Sequence, residues 1–415
     1  VKDDTTTART ITWPASIIWN GGTAPTLIDS SQTGEVQIFN LTTRDQGVTW
    51  YGYETMKNDP EEPSQLWVMG GLNGQGTLGL NDIVQRSSPR QIPGTQWNTV
   101  WSGYNESAAT KSDGTLWAWG KNSSGQLGIN DTANRSSPHQ IPGTQWSFDK
   151  IGGGQDCITA IKTDGTLWAW GDGQDGKLGQ NDVILRSSPI QIPGTQWSEV
   201  SDNGFHANHF LKTDGTLWHI GSNFGGQLGL GDYIPRSSPT QTPGSQWSSI
   251  SSGYYHAIAT KTDGTLWTWG YNTSGMLGIN DLIARSSPTQ LPGTQWNTSR
   301  GYVGGYGSAG GFGIKTDGTL WMWGENSAGP LGQNSVVQYS SPIQVPGTQW
   351  SRVTGGPIFS NVVSAQKTDG TLWAWGNGSQ GRLGQNDAVQ RSSPTQIPGT
   401  WSKSDAGNNI FAIKS

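Results

Sequence analysis

A single cysteine in 415 residues, Cys157, rules out an internal disulfide, and with no Cys-His-Asn setting around it the thiol reads as a buried, inert one. Charge is scarce too: Asp, Glu, Lys and Arg make up 13% of the chain, where an average soluble domain has about 25%. The 25 Lys and Arg against 30 Asp and Glu leave a formal net charge of −5, so the clustered cations that displace counterions from phosphate are missing. Nucleic acid is therefore not an expected partner. No run approaches the 18 or so apolar residues of a spanning helix, so membrane insertion is not expected and a soluble protein is. Of five histidines only His206, His209 and His219 are near one another, too few for a zinc site without further ligands. Gly74–Gly79 and Gly305–Gly310 both fit Gly-x-Gly-x-x-Gly, but neither opens a helix after a strand, as a dinucleotide loop must. No cofactor, metal or catalytic constellation is expected, and the chain is read as a non-enzyme. Its start, Val1-Lys2-Asp3-Asp4-Thr5, has neither an initiator Met nor a signal-like apolar stretch, which suggests a processed or partial product.

What the chain has in excess is glycine, 61 residues, and tryptophan, 23. So many large apolar groups argue against disorder. The dipeptide Leu-Trp recurs with its Trp at 67, 117, 168, 218, 267, 321 and 373, a period near 50 residues. Most copies begin Lys-(Ser/Thr)-Asp-Gly-Thr-Leu-Trp, where the Asp-Gly pair between strand-forming runs marks a hairpin. A Gly/Asn/Ser loop ending in Leu-Gly-x-Asn-Asp follows, then Arg-Ser-Ser-Pro-x-Gln-Ile-Pro-Gly-Thr-Gln-Trp, as in Arg135 to Trp146. Prolines four apart are expected to bracket a third strand, and the run from Gln-Trp a fourth. Four short strands per 50 residues make a propeller blade. The first copy lacks its Lys-x-Asp-Gly strand, while the chain ends on Phe411-Ala412-Ile413-Lys414, which matches the missing piece. This predicts that Phe411 to Lys414 pairs antiparallel with Gln65 to Met69 and closes the ring.

The repeat, as in Lys261 to Gly278, resembles that of the regulator of chromosome condensation family. The resemblance runs from about residue 64 to 415 and implies an all-β, seven-bladed β-propeller with one blade shared between the two ends of the repeat region. That propeller hosts nucleotide exchange, chromatin binding and enzyme-inhibitor roles alike. This acidic chain has no basic tail of the kind used to hold nucleosomes, and the family's Gly-x-x-His occurs only at Gly253–His256.

The copies also align with one another. Asp82 and Arg86, Asp131 and Arg135 and their counterparts keep one spacing, as ion pairs stapling a loop would. Nineteen of the 23 Trp occupy repeat slots and read as blade core. What varies is the segment after each Gln-Trp, where Trp101, Tyr104, Phe205, His206, Tyr254, Tyr255, His256, Tyr302, Tyr306 and Phe359 fall at equivalent blade positions. Such loops gather on one propeller face, and aromatic anchors on a rigid frame suit a protein or glycan partner, although loops also drift in sequence for no functional reason.

Residues 1–58 do not match the repeat; they read as a small β-rich docking or oligomerisation module with strands at Thr10–Trp13, Ile17–Trp19, Glu35–Leu41 and Val48–Tyr53. Residues 59–63 read as a linker. The phrases Ile11-Thr12-Trp13-Pro14, Trp19 to Leu27 and Gly47 to Gly52 resemble a β-rich segment of structural proteins of tailed bacteriophages. This resemblance implies a virion component, in tail or capsid, that docks on other virion proteins through residues 1–58. The propeller would then be displayed as decoration or for contact with a host surface protein or glycan, and a homo-oligomer would be natural for such a part. The alternative is a secreted bacterial propeller that binds or inhibits another protein through the aromatic loops.

Overall fold

The computed structural model describes residues 63–414 except 202, 203, 205, 300–302, 307–309 and 357–359, together with the strands at 17–19, 38–43 and 50–56. The chain divides into two compact units, Val1–Pro63 with Ser415, and Ser64–Lys414. In the first, β1 (Ile17–Trp19), β2 (Ile38–Thr43) and β3 (Trp50–Met56) form one sheet in the order β1-β3-β2, with β1 parallel and β2 antiparallel to β3. The expected strand at Thr10–Trp13 lies outside the described residues.

The second unit is seven four-stranded antiparallel sheets arranged as propeller blades. In blade one the order is Trp97–Ser102, Glu106–Lys111, Leu116–Gly120 and Arg135–Gln140. The strand after Gln-Trp therefore opens the next blade as its innermost strand, followed by the hairpin and then by the Arg-Ser-Ser-Pro strand. The first proline, Pro138, lies inside that last strand and does not border it. The strand is the sheet's outer edge, where a missing N–H removes no ladder bond.

Blade seven is composite: Lys403–Ala406 and Ile410–Lys414 from the C-terminal end join Gln65–Val68 and Arg90–Gln91. Phe411 pairs with Val68, Ala412 with Trp67, Ile413 with Leu66 and Lys414 with Gln65, the expected antiparallel closure.

The apolar core lies between blades. Trp101, Leu116 and Ala118 of blade one cluster with Ile151, Ile158 and Trp170 of blade two, and the other six junctions hold equivalent clusters. Around this core runs a circumferential lock. The N–H of Asn81 donates to the carbonyl of Ser136 on the next blade's outer strand, and Asn130, Asn181, Gly231, Asn280, Asn334 and Asn386 repeat the bond, Asn386 reaching Ser87 across the closure. All seven donors have positive φ, between 52° and 80°, which accounts for Asn or Gly at that slot. Five second-slot tryptophans, 119, 170, 269, 323 and 375, donate Nε1–H to a carbonyl of the preceding blade at 2.6–3.1 Å. The expected staples are present as Asp–Arg pairs at 2.5–2.7 Å in six loops. In the other loop Ser335 and Tyr339 replace the pair, and Ser335 Oγ keeps only the turn, accepting from Val337 N–H.

Candidate functional site

Because each blade is an up-and-down meander, the connections from strand one to two and from three to four leave by the same end. They build one face, called here the upper face. Tyr271 N–H donates to Tyr255 O at 2.9 Å, tying a connection of the second kind to one of the first.

At blades three and four this face carries a joined set of rings. Tyr254 and Tyr255 have ring centroids 3.9 Å apart and hydroxyl oxygens 3.2 Å apart. His206 stacks on Tyr255 at 5.8 Å with an interplanar angle of 11° and lies 6.0 Å from Tyr254. Tyr271, exposed, continues the row 5.3 Å from Tyr255. Gly225 makes room for it, since a Cβ there would sit 2.1 Å from the Tyr271 ring. Beside Gly225, Phe224 is 67% exposed, an unusual setting for so large an apolar group. Asp175 of blade two closes the row, its carboxylate 3.3 Å from His206 Nδ1. Burial, aided by the nearby Lys177 ammonium, holds the His206 pKa below its ordinary value, so the ring is mostly neutral at pH 7. Burial and then the Tyr255 hydroxyl push the Tyr254 pKa up. The patch thus offers ring faces, phenol and imidazole hydrogen bonds and one carboxylate, a surface suited to a cationic or aromatic group of a partner.

Of the ten anticipated aromatic residues, the structure brings together His206, Tyr254 and Tyr255. Two are corrected. Trp101 is 3% exposed in the core between blades one and two, and His256, 1% exposed, directs Nε2 to Gly310 O at 3.0 Å. The variable segments begin and end inside the strands, so Trp101 near the end of one strand and His256 at the start of another are covered by the neighbouring blade. Tyr104 is half-buried, its carbonyl accepting from Asn408 Nδ2 of blade seven. Tyr306 ends the strand Val303–Tyr306, while Phe205, Tyr302 and Phe359 lie outside the described residues.

Asp175, Phe224 and Tyr271 were missed. They sit in the connection after Trp-Gly, whose variable positions the same comparison of copies exposes. So do pairs of exposed aliphatics just after the Asn-Asp slot, among them Ile83 and Val84, Val183 and Ile184, Leu282 and Ile283, and Val336 and Val337, each 56–67% exposed. They form a broken apolar ring on the upper face.

His209 and His219 are cross-strand partners, buried, with Nδ1 atoms 2.6 Å apart, and His219 Nε2 bonds Thr242 Oγ1. His206 is not with them, and no group of three metal-ligating side chains occurs among the described residues. Cys157 is buried, and burial pushes its thiol pKa up. No helix among the described residues is long and apolar enough to cross a membrane.

The regulator of chromosome condensation (RCC1) repeat profile matches residues 113–161, 164–209, 214–260, 263–301, 317–360 and 369–412. The chain belongs to the regulator of chromosome condensation repeat family. Human Protein RCC2 is 33% identical over 87 residues, 20% of this chain and 16% of that protein. The mitochondrial RCC1 domain-containing protein RUG3 of Arabidopsis thaliana is 31% identical over 93 residues, 22% of this chain and 21% of that one. Each match thus spans only a small part of its relative. Among solved structures, human WBSCR16 superposes with a TM-score of 0.72 at 20% identity, covering 84% of this chain and 98% of that one. Yeast RCC1 (Prp20), solved bound to Kap60, gives 0.72 at 18%, covering 85% and 88%. At these identities the likeness establishes the RCC1-type propeller fold and no more.

Proposed function

We propose that this RCC1-repeat protein is a non-enzymatic binding component of a tailed-phage virion, docked through residues 1–58 and presenting the upper propeller face to a partner. The observation that carries the binding role is the patch of Tyr254, Tyr255, His206, Tyr271 and Asp175, set on a closed ring beside an exposed Phe224. Aromatic anchors already held in place lose little entropy on binding. The yeast relative's complex with Kap60 supports a protein as the sort of partner this frame accommodates. The virion assignment rests on the phage-like phrases of residues 11–52.

Two variants expressed in a phage source test the reading. Deleting residues 1–58 removes the protein from particles, while replacing Tyr254 and Tyr255 by Ala leaves incorporation and melting temperature intact but lowers adsorption to host cells at least tenfold. A deletion that still enters particles contradicts the docking role, and unchanged adsorption clears the patch. Should the propeller alone be found free in the medium with full activity on a captured enzyme, the secreted-inhibitor alternative replaces the virion one.

A further inference from the structure

Six lysines share one setting that neither the closure of the ring nor the upper-face patch explains. Lys111, Lys162, Lys212, Lys261, Lys315 and Lys367 each hold Nζ 4.5–5.2 Å from the centroids of two indole rings, one from a Gln-Trp slot and one from a Leu-Trp slot. None of the six forms an ion pair among the described residues. The nearest hairpin carboxylate is engaged elsewhere: Asp214 Oδ1 accepts from Thr216 Oγ1 at 2.6 Å and from its N–H at 3.0 Å. The Gln-Trp indoles are unsatisfied in turn. Trp97, Trp146, Trp197, Trp247, Trp296, Trp350 and Trp401 all bury Nε1 without an acceptor, and a buried donor left unpaired costs stability.

Two of these lysines border clefts. A cavity of about 420 Å³ between blades two and three is lined by Trp197, Lys212, Trp218, Pro193, Gly194 and Ser238, among others, and one of about 280 Å³ repeats the lysine and tryptophan pair at Trp247, Lys261 and Trp267. These volumes lie in or near the range of small-ligand pockets.

We propose that these two clefts are subsites for an acidic polysaccharide, each taking the carboxylate of one uronate-type sugar on lysine Nζ. The walls suit a sugar, since tryptophan and proline offer apolar surface to its C–H face while a serine hydroxyl and the lysine meet its oxygens. Repetition around the ring suits a polymer with a repeated charge, for which modest sites add up through effective concentration. The proposal does not depend on the upper-face patch or on a place in a virion.

Titration calorimetry on the full chain with polygalacturonate tests it, with neutral dextran and inorganic sulfate as controls. The expected result is polygalacturonate binding at least tenfold tighter than dextran, weakened at least threefold in the Lys212→Met, Lys261→Met double variant, with sulfate competing only far above the carboxylate concentration. In the unmodified protein, the indole N–H resonances of Trp197 and Trp247 shift on adding polygalacturonate, a readout independent of how the variant folds. No binding, equal binding of dextran, sulfate competing at equal charge concentration, or unmoved indole resonances would each overturn the proposal.

Discussion

Glu106 is the most perturbed carboxylate described. Burial, then repulsion from Asp156, pushes its pKa up from 4.5 to about 8. Between those values the native state holds a proton the unfolded chain has lost, so stability falls as pH rises through the window, by up to about 1.4 kcal/mol per pH unit. Buried histidines act the other way. Desolvation lowers the pKa of His209 from 6.5 to about 3 and that of His256 to about 4, so native rings stay neutral while unfolded ones charge, and stability is lost as pH falls below 6.5. Between pH 6.5 and 8 the histidine effect fades while that of Glu106 persists. Urea titrations at pH 6.5, 7.25 and 8 should therefore show the parent losing about 1–2 kcal/mol of unfolding free energy relative to Glu106→Gln across that range. An equal slope in both would contradict the burial argument. At this scale the sequence said little. That Trp101 and His256 point inward depends on one residue of strand register, and that Tyr271 joins Tyr255 depends on two segments 16 residues apart meeting at one sheet end.

At the scale of elements, the repeated glycines separate into those the packing demands and those it does not. Gly125, with φ of 70°, faces the outer strand of the next blade, where a Cβ would lie 2.6 Å from Ser187 Cα. Gly125→Val should cost about 2–4 kcal/mol, from a strained backbone and an overfilled contact. Gly74 has nothing within 4 Å of its missing Cβ, so Gly74→Ala should leave the melting temperature within a degree or two. A Gly125→Val protein as stable as its parent would remove the reason given for glycine at that slot in every blade. The hairpins, the Asp–Arg staples and the four-strand count were legible because each rests on local chemistry repeated six or seven times. The circumferential lock was not, because six of its bonds join residues about 55–60 apart on different blades and the seventh, Asn386 to Ser87, joins opposite ends of the ring's sequence. The strand containing Pro138 was misjudged for a related reason: whether proline borders a strand or sits within it depends on that strand being an outer edge.

For the whole molecule, closure is the property on which every face depends. The terminal strand Ile410–Lys414 supplies the second strand of blade seven, and Phe411 packs against Trp119 of blade one at 5.8 Å between centroids. Removing residues 410–415 would expose two sheet edges and part of two interblade cores, so the melting temperature should drop by 10 °C or more, with aggregation on heating. An unchanged melting temperature would rule out this closure. The ring was readable from sequence because the missing piece of the first copy appears at the last residues. The partner was not, because a face assembled from separate blades leaves no contiguous motif.

The reading of the chain as a virion component is tested most directly by immunogold labelling of intact particles from the source, with antibody raised against residues 64–414. Regular gold at one tail or capsid position is the predicted result. Unlabelled particles, with the protein recovered free in the medium, would contradict it.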